Sequence, residues 1–228
     1  MRKYYYLLLF IFSAASHASI VVGGTRVIFE GEKKTTTISV ENKDRVTNIV
    51  QSWLSVVDSS SPPKDAFIIT PPLFKLKAGE QGFVRIVRTG KPLPEDRETM
   101  LWLNVKGIPA MEQQPDKNVV QFAINSRIKF IYRPTALKDA SPEKAAPNLQ
   151  WFKDNGALRV NNPSPLYINF SQIQYNGVNI SGGWFVAPHA ELVIPKKDGI
   201  TSPGSAKIVW SIINDYGMPG KKYNTTIQ

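Results

Sequence analysis

The chain has 228 residues, 42% hydrophobic and 20% charged, with 28 Lys and Arg against 18 Asp and Glu, a formal net charge of +10, and no cysteine. Such a composition buries a core and excludes a disordered chain; the missing thiols exclude disulfides, thiol catalysis and cysteine-bound metal. The length accommodates one large domain or two of the roughly 100 residues usual for a β-sandwich.

The first eighteen residues read as an export leader. Arg2 and Lys3 form a positive start, Tyr4 to Ala15 is mostly apolar, and Ser16-His17-Ala18 offers small residues where a signal peptidase cuts. The apolar stretch is shorter than the ~20 residues a bilayer requires. An uncleaved anchor or a buried strand is the other reading of these residues. Cleavage after Ala18 removes Arg2 and Lys3, taking two from the 28 basic residues and leaving a net charge of +8. A basic surface attracts nucleic acid, anionic lipid or acidic protein. An exported chain rarely meets nucleic acid and no nucleic-acid motif is visible, so a protein partner is the first reading and plain solubility the second.

Short alternating runs follow. Ile20-Val21-Val22 and Thr25 to Phe29 lead into the turn Glu30-Gly31-Glu32, then come Thr35 to Val40, Asn48 to Val57, Phe67 to Ile69, Phe83 to Val87 and Met100 to Val105. Val119 to Tyr132 is the longest strand-like run, with Val120, Phe122 and Ile124 on one face and Gln121, Ala123 and Asn125 on the other. Residues 134–148 carry Pro134, Pro142 and Pro147 among Lys, Ala and Asp, the composition of a linker or a domain-joining bend. The β pattern then restarts. Asn155-Gly156 and Asn176-Gly177 are type I′ hairpin signals, flanked by Leu149 to Phe152, Ala157 to Val160, Ile168 to Tyr175 and Val178 to Ile180. Glu191 to Ile194 and Ala206 to Ile213 complete the series. No helical stripe of useful length and no internal repeat is evident. The pattern predicts an all-β protein of antiparallel sandwiches.

Chemistry is sparse. His189 is the histidine that remains after leader cleavage, in an Ala-Pro-His-Ala turn. There is no phosphate-binding glycine loop and no nucleophile elbow, the acidic residues lack metal-ligand spacing, and Glu95 and Asp96 beside Pro94 suit an exposed turn. The reading is therefore not an enzyme, with no cofactor and no metal. Trp53, Trp102 and Trp210 lie in strand-like runs and are expected in the core.

Six segments in order carry a resemblance: Gly24 to Phe29, Thr70 to Phe74, Leu93 to Glu98, Ile128 to Pro134, Asn161 to Pro165 and Ile213 to Gly217. Together, behind a leader, they resemble the periplasmic pilus (fimbrial) chaperone family of the chaperone–usher pathway. The resemblance covers nearly the whole exported chain. It implies two immunoglobulin-like β-sandwich domains joined at an angle, residues 19–138 carrying a donated strand and residues 139–228 following. It implies pilus subunits as partners, held by donor-strand complementation, and an outer-membrane usher as recipient, with no nucleic acid and no nucleotide. Whether the free protein caps its strand as a homodimer stays open.

By the same resemblance, Val120, Phe122 and Ile124 match the alternating apolar residues of the donated strand; alternation alone equally allows them to face the chain's own core. Arg26 and Lys129 match two cleft cations that hold a subunit's terminal carboxylate, and Glu98, Arg133 and Asp215 match an inter-domain charge cluster. The stretch from Gly107 to Asn118 before the donated strand is short, which implies the short-loop subclass. Many relatives carry a cysteine pair in the second domain; this chain has none. The alternatives are an exported pilin or adhesin, which would self-polymerise, and a glycan-binding or hydrolytic β-sandwich, which would cluster exposed aromatics or pair carboxylates.

Overall fold

A computed structural model describes residues 20–58, 61, 63–110, 120–154, 156–195 and 204–228. The leader, Asn155 and most of the stretch before the expected donated strand lie outside these residues. The first half contains β1 (Ile20–Val22), β2 (Arg26–Glu30), β3 (Thr35–Asn42), β4 (Asn48–Val56), β5 (Phe67–Thr70), β6 (Leu73–Leu76), β7 (Gln81–Arg88), β8 (Thr99–Pro109) and β9 (Ile124–Arg133). The second contains β10 (Gln150–Asp154), β11 (Ala157–Asn162), β12 (Ile168–Tyr175), β13 (Val178–Asn179), β14 (Phe185–Val186), β15 (Ala190–Ile194), β16 (Ala206–Ile213) and β17 (Pro219–Ile227).

Each half closes on its own core. In the first, a sheet ordered β1-β3-β7-β5 packs on one ordered β2-β9-β8-β4-β6. Alternation decides what is buried: Ile38 and Val40 of β3, Val50 and Leu54 of β4, and Leu101, Leu103 and Val105 of β8 point inward. Phe29, Phe67 and Phe130 meet edge to face, with ring centroids 4.8–5.9 Å apart. In the second half, β10-β11-β15 faces β13-β12-β16-β17, and Trp151 lies 5.4 Å from Trp210 in the core. These are two immunoglobulin-like β-sandwich domains.

The proline-rich bend is packed rather than loose. Ser141 caps a one-turn helix, α1 (Pro142–Ala145), with Pro142 at its start. Ala145 and Ala146 are buried in the second core. At the second hairpin signal, Asn176 and Gly177 have φ of 47° and 82° and join β12 to β13 in the expected two-residue turn.

Three expectations require correction. The run from Val119 does not form one long strand: ladder pairing of β9 begins at Ile124, opposite Gly107, and residues 120–123 carry no regular structure. A strand needs a neighbour to satisfy its backbone, and β8 ends at Pro109. β8, at 11 residues, is the longer element, so the connecting stretch begins after Pro109 rather than at Gly107. Finally, Trp210 is core, but Trp53 and Trp102 are only half-buried, on the outer face of their sheet.

Both domains repeat one device that alternation alone does not reveal. Asn42 ends β3 and Asn162 ends β11, each fully buried. Asn42 Nδ2 donates to the carbonyls of Val46, Leu76 and Lys77, while its Oδ1 accepts the Asp44 N–H. Asn162 Nδ2 donates to the Leu166 and Ala187 carbonyls, and its Oδ1 accepts the Ser164 N–H. A buried amide whose bonds are satisfied fixes the loop around it.

Candidate functional site

The outer face of the β2-β9-β8-β4-β6 sheet turns toward the second domain. Core-facing Leu101, Leu103 and Val105 place their neighbours Met100, Trp102 and Asn104 on this outer face, and ladder pairing adds Lys129 and Ile131 of β9. β2 runs parallel to β9 and places Arg26 beside Lys129 and Ile28 beside Ile131. Met100 and Ile131 are cross-strand partners, buried outside the sandwich core.

Arg26 and Lys129 are thus neighbours by register, both part-buried. Lys129 Nζ donates to Asn169 Oδ1 from β12 and lies 4.5 Å above the Phe185 ring. Arg26 makes a long 3.5 Å bond from Nη1 to the Ile213 carbonyl, and its buried Nε has no partner among the described residues. Among the described residues neither cation forms an ion pair. Burial, and after it the Arg26 charge, pulls the Lys129 ammonium down to about 8. Burial also lowers Arg26, against the opposing pull of Asp215 and Glu98. Two adjoining cations without an ion pair among the described residues, one with an unused N–H, keep donors available for charge-assisted hydrogen bonds.

Glu98, Arg133 and Asp215 are brought together across the domain boundary. Arg133 Nε donates to Glu98 Oε1 at 2.7 Å, and its Nη1 and Nη2 donate to the two Asp215 oxygens at 2.6 and 2.8 Å. Glu98 Oε2 accepts the Tyr167 N–H at 2.7 Å, and the Glu98 N–H donates to the Pro165 carbonyl at 2.9 Å. Burial pushes the Glu98 carboxyl up to about 6, against the pull of Arg133 and of the Tyr167 N–H. Burial likewise opposes the Arg133 charge, but the two carboxylates outweigh it and hold the guanidinium above its usual range. The Asn162 loop aims Pro165 and Tyr167 at Glu98. The turn after β16 aims Asp215: Asn214 Oδ1 accepts the N–H groups of Tyr216 and Met218. Gly217, at φ 82°, lies so close to Thr25 that a Cβ would sit 2.1 Å from its Oγ1.

Outward from the cations, β9 has β8 on one side and an open edge on the other. β2 covers only Lys129 to Arg133, leaving Ile124 to Ile128 without a partner on that side among the described residues. Val120, Phe122 and Ile124 are 78%, 76% and 52% exposed. They do not enter the protein's own core, so that alternative is removed. Large exposed apolar side chains leading into a strand with an open edge have the chemistry that strand addition uses.

Trp102 and Asn169 are the site residues that sequence reading missed. Trp102 lies edge-on to Phe185, with centroids 6.4 Å apart, so the aromatics bridge the two domains beside Lys129. Each is an ordinary strand residue in sequence; only the register shows which face it occupies.

The arrangement sets two part-buried cations and a charge cluster where two immunoglobulin-like domains meet, beside a strand edge open among the described residues. Residues 19–138 match the family model described as pili and flagellar-assembly chaperone, PapD N-terminal domain, and residues 144–223 match pili assembly chaperone PapD, C-terminal domain. The chain belongs to the pilus-assembly chaperone family, which is not a family of enzymes. It is 39% identical over 214 residues to the probable fimbrial chaperone LpfB of Escherichia coli O157:H7, covering 92% of this chain and 90% of the relative. To the chaperone protein FocC of Escherichia coli it is 36% identical over 214 residues, covering 92% and 91%. Among solved structures, the Salmonella enterica SafA pilin in complex with the SafB chaperone aligns with a TM-score of 0.81 at 35% identity, covering 93% of this chain and 98% of that one.

Proposed function

We propose that this chaperone holds pilus subunits in the periplasm by adding the segment from Val120 to Ile128 to an unfinished subunit sandwich. Arg26 and Lys129 receive the subunit's terminal carboxylate. The reading is carried by one observation: exposed Val120 and Phe122 lead into β9 at exposed Ile124, whose outer edge is open among the described residues, and β9 leads to two cations that lack an ion pair among those residues. The aligned SafA–SafB complex, a chaperone with its pilin, supports the same use.

The physical logic follows from the edge. A subunit lacking a strand exposes an apolar groove and unpaired backbone, which aggregates. Each donated side chain of this size gains about 1.5–3 kcal/mol on leaving water, before the costs of association. With the guest's last residue at Lys129 and its earlier residues toward Val120, the guest strand runs parallel to β9. The carboxylate thereby fixes register, since a one-residue slip reverses every side chain. Glu98, Arg133 and Asp215 hold the domain angle that shapes the cleft; such a buried charge group acts through orientation more than through stability.

The rest of the reading is as follows. Residues 1–18 direct export and are removed, residues 19–138 and 139–228 are the two domains, and an outer-membrane usher takes the loaded subunit by strand exchange. The shortness of the sequence between Pro109 and Val120 supports the short-loop subclass. Co-expression with the subunits of its own fimbrial system, followed by periplasmic extraction, tests the reading. A one-to-one chaperone–subunit complex is expected; polymers of the chain itself, or retention on glycan alone, would contradict it.

A further inference from the structure

Arg127 has no role in the anchor or in the charged bolt of Glu98, Arg133 and Asp215. It lies on the outer face of β9, two residues before Lys129, exposed, with its guanidinium carbon 4.7 Å above the Trp102 ring. Trp102 is packed in turn at a right angle to the Phe185 ring of the second domain. Among the described residues Arg127 has no ion pair. A guanidinium lying on an indole keeps its in-plane N–H groups free and pointed, so it arrives pre-organised for a planar acceptor.

The strand geometry says which guest residue it meets. Lys129, Arg127 and Asn125 share the cleft face of β9, whereas Ile128, Ser126 and Ile124 share the other. A guest strand parallel to β9, with its last residue beside Lys129, brings the residue two before its end alongside Arg127 on the same face.

Resting on the reading of Arg26 and Lys129 as the carboxylate anchor, we infer that Arg127 and Trp102 form a specificity subsite for the guest residue two positions before its C-terminus. The subsite selects an acceptor side chain there, a carboxylate first and a carboxamide second, and rejects a cation. Trp102 is the positioning residue and Arg127 the contact.

The test uses the full exported chain and synthetic alternating apolar peptides with a free terminal carboxylate, carrying Asp, Gln, Leu or Lys two residues before the end. Fluorescence anisotropy should rank them Asp, Gln, Leu, Lys, with Asp favoured over Leu about two- to fivefold, the worth of an exposed ion pair. Arg127→Glu should invert the order of the Asp and Lys peptides, a change that a merely structural role does not produce. Trp102→Leu should compress the Asp–Lys difference while the variant still melts cooperatively. Equal affinities for all four peptides in the unmodified protein, or an order unmoved by Arg127→Glu, would overturn the subsite. Terminally amidated peptides serve as a separate arm: if amidation costs nothing, the anchor reading itself fails, whatever the ranking.

Discussion

The guanidinium of Arg133 and the carboxylate of Asp215 are joined by two parallel hydrogen bonds of 2.6 and 2.8 Å, one residue from each domain. The same guanidinium holds the buried Glu98, so one side chain ties the end of β9, the start of β8 and the turn after β16. Removing Arg133 strands Glu98 as an uncompensated buried charge. Asp215 is partly exposed and can recover water. Arg133→Ala should therefore cost about 3–5 kcal/mol and Asp215→Ala distinctly less, as read by urea denaturation. Equal costs would show that Glu98 does not depend on Arg133.

Gly217 permits the close approach of that turn to Thr25. Gly217→Ala meets two obstacles: a φ of 82° and a Cβ 2.1 Å from the Thr25 hydroxyl. The variant should lose more than ~1 kcal/mol. Pairing it with Thr25→Ala removes the clash but not the backbone strain, so denaturation of the double variant should show partial recovery only.

Phe122 is 76% exposed in the free protein, so its side chain does not support the fold. Phe122→Glu should melt within about a degree or two of the parent, because surface changes of this kind fall within ±0.5 kcal/mol. It should nevertheless fail to retain a pilus subunit in a pull-down. Retention at the parental level would remove Phe122 from the donated strand.

Lys129 makes carboxylate binding depend on pH. Its free ammonium titrates near 8, below its ordinary value, because it is buried beside Arg26. A bound carboxylate raises that value, so the complex holds more protons than the free protein. Affinity for a free-carboxylate peptide should be full below pH 8 and decline as pH rises through it; titrations at about pH 7 and about pH 9 read the difference. An amidated peptide should show no such decline. Lys129→Ala and Arg26→Ala should each weaken the carboxylate peptide about tenfold or more, since a charge-assisted bond is worth roughly 1.5–3 kcal/mol.

Local signals were legible in the sequence because their causes are local. Asn176-Gly177 specifies a turn by backbone conformation alone, and the alternation in β3 and β4 specifies buried faces. Whatever depends on a distant partner was not. Val120 and Phe122 alternate as a strand does, yet without a neighbour their backbone takes no ladder. Trp102 alternates like Trp210, but one meets the facing sheet of its own sandwich and the other the second domain. Asn42 and Asn162 perform the same task in the two domains, and a buried amide gives no periodic signal. Arg26 and Lys129, and the three charges of the bolt, came from family likeness; only the register and the ion-pair geometry place each group together.

The central claim is that the β9 edge becomes an interior strand when a subunit is bound. Backbone amide hydrogen exchange, followed for the free chaperone and for its purified complex with a pilus subunit, reads this directly. Amides from Val120 to Ile128 that do not point at β8 should exchange rapidly in the free protein and become strongly protected in the complex. Continued rapid exchange across that segment in a fully formed complex, with protection appearing on another face, would contradict the account.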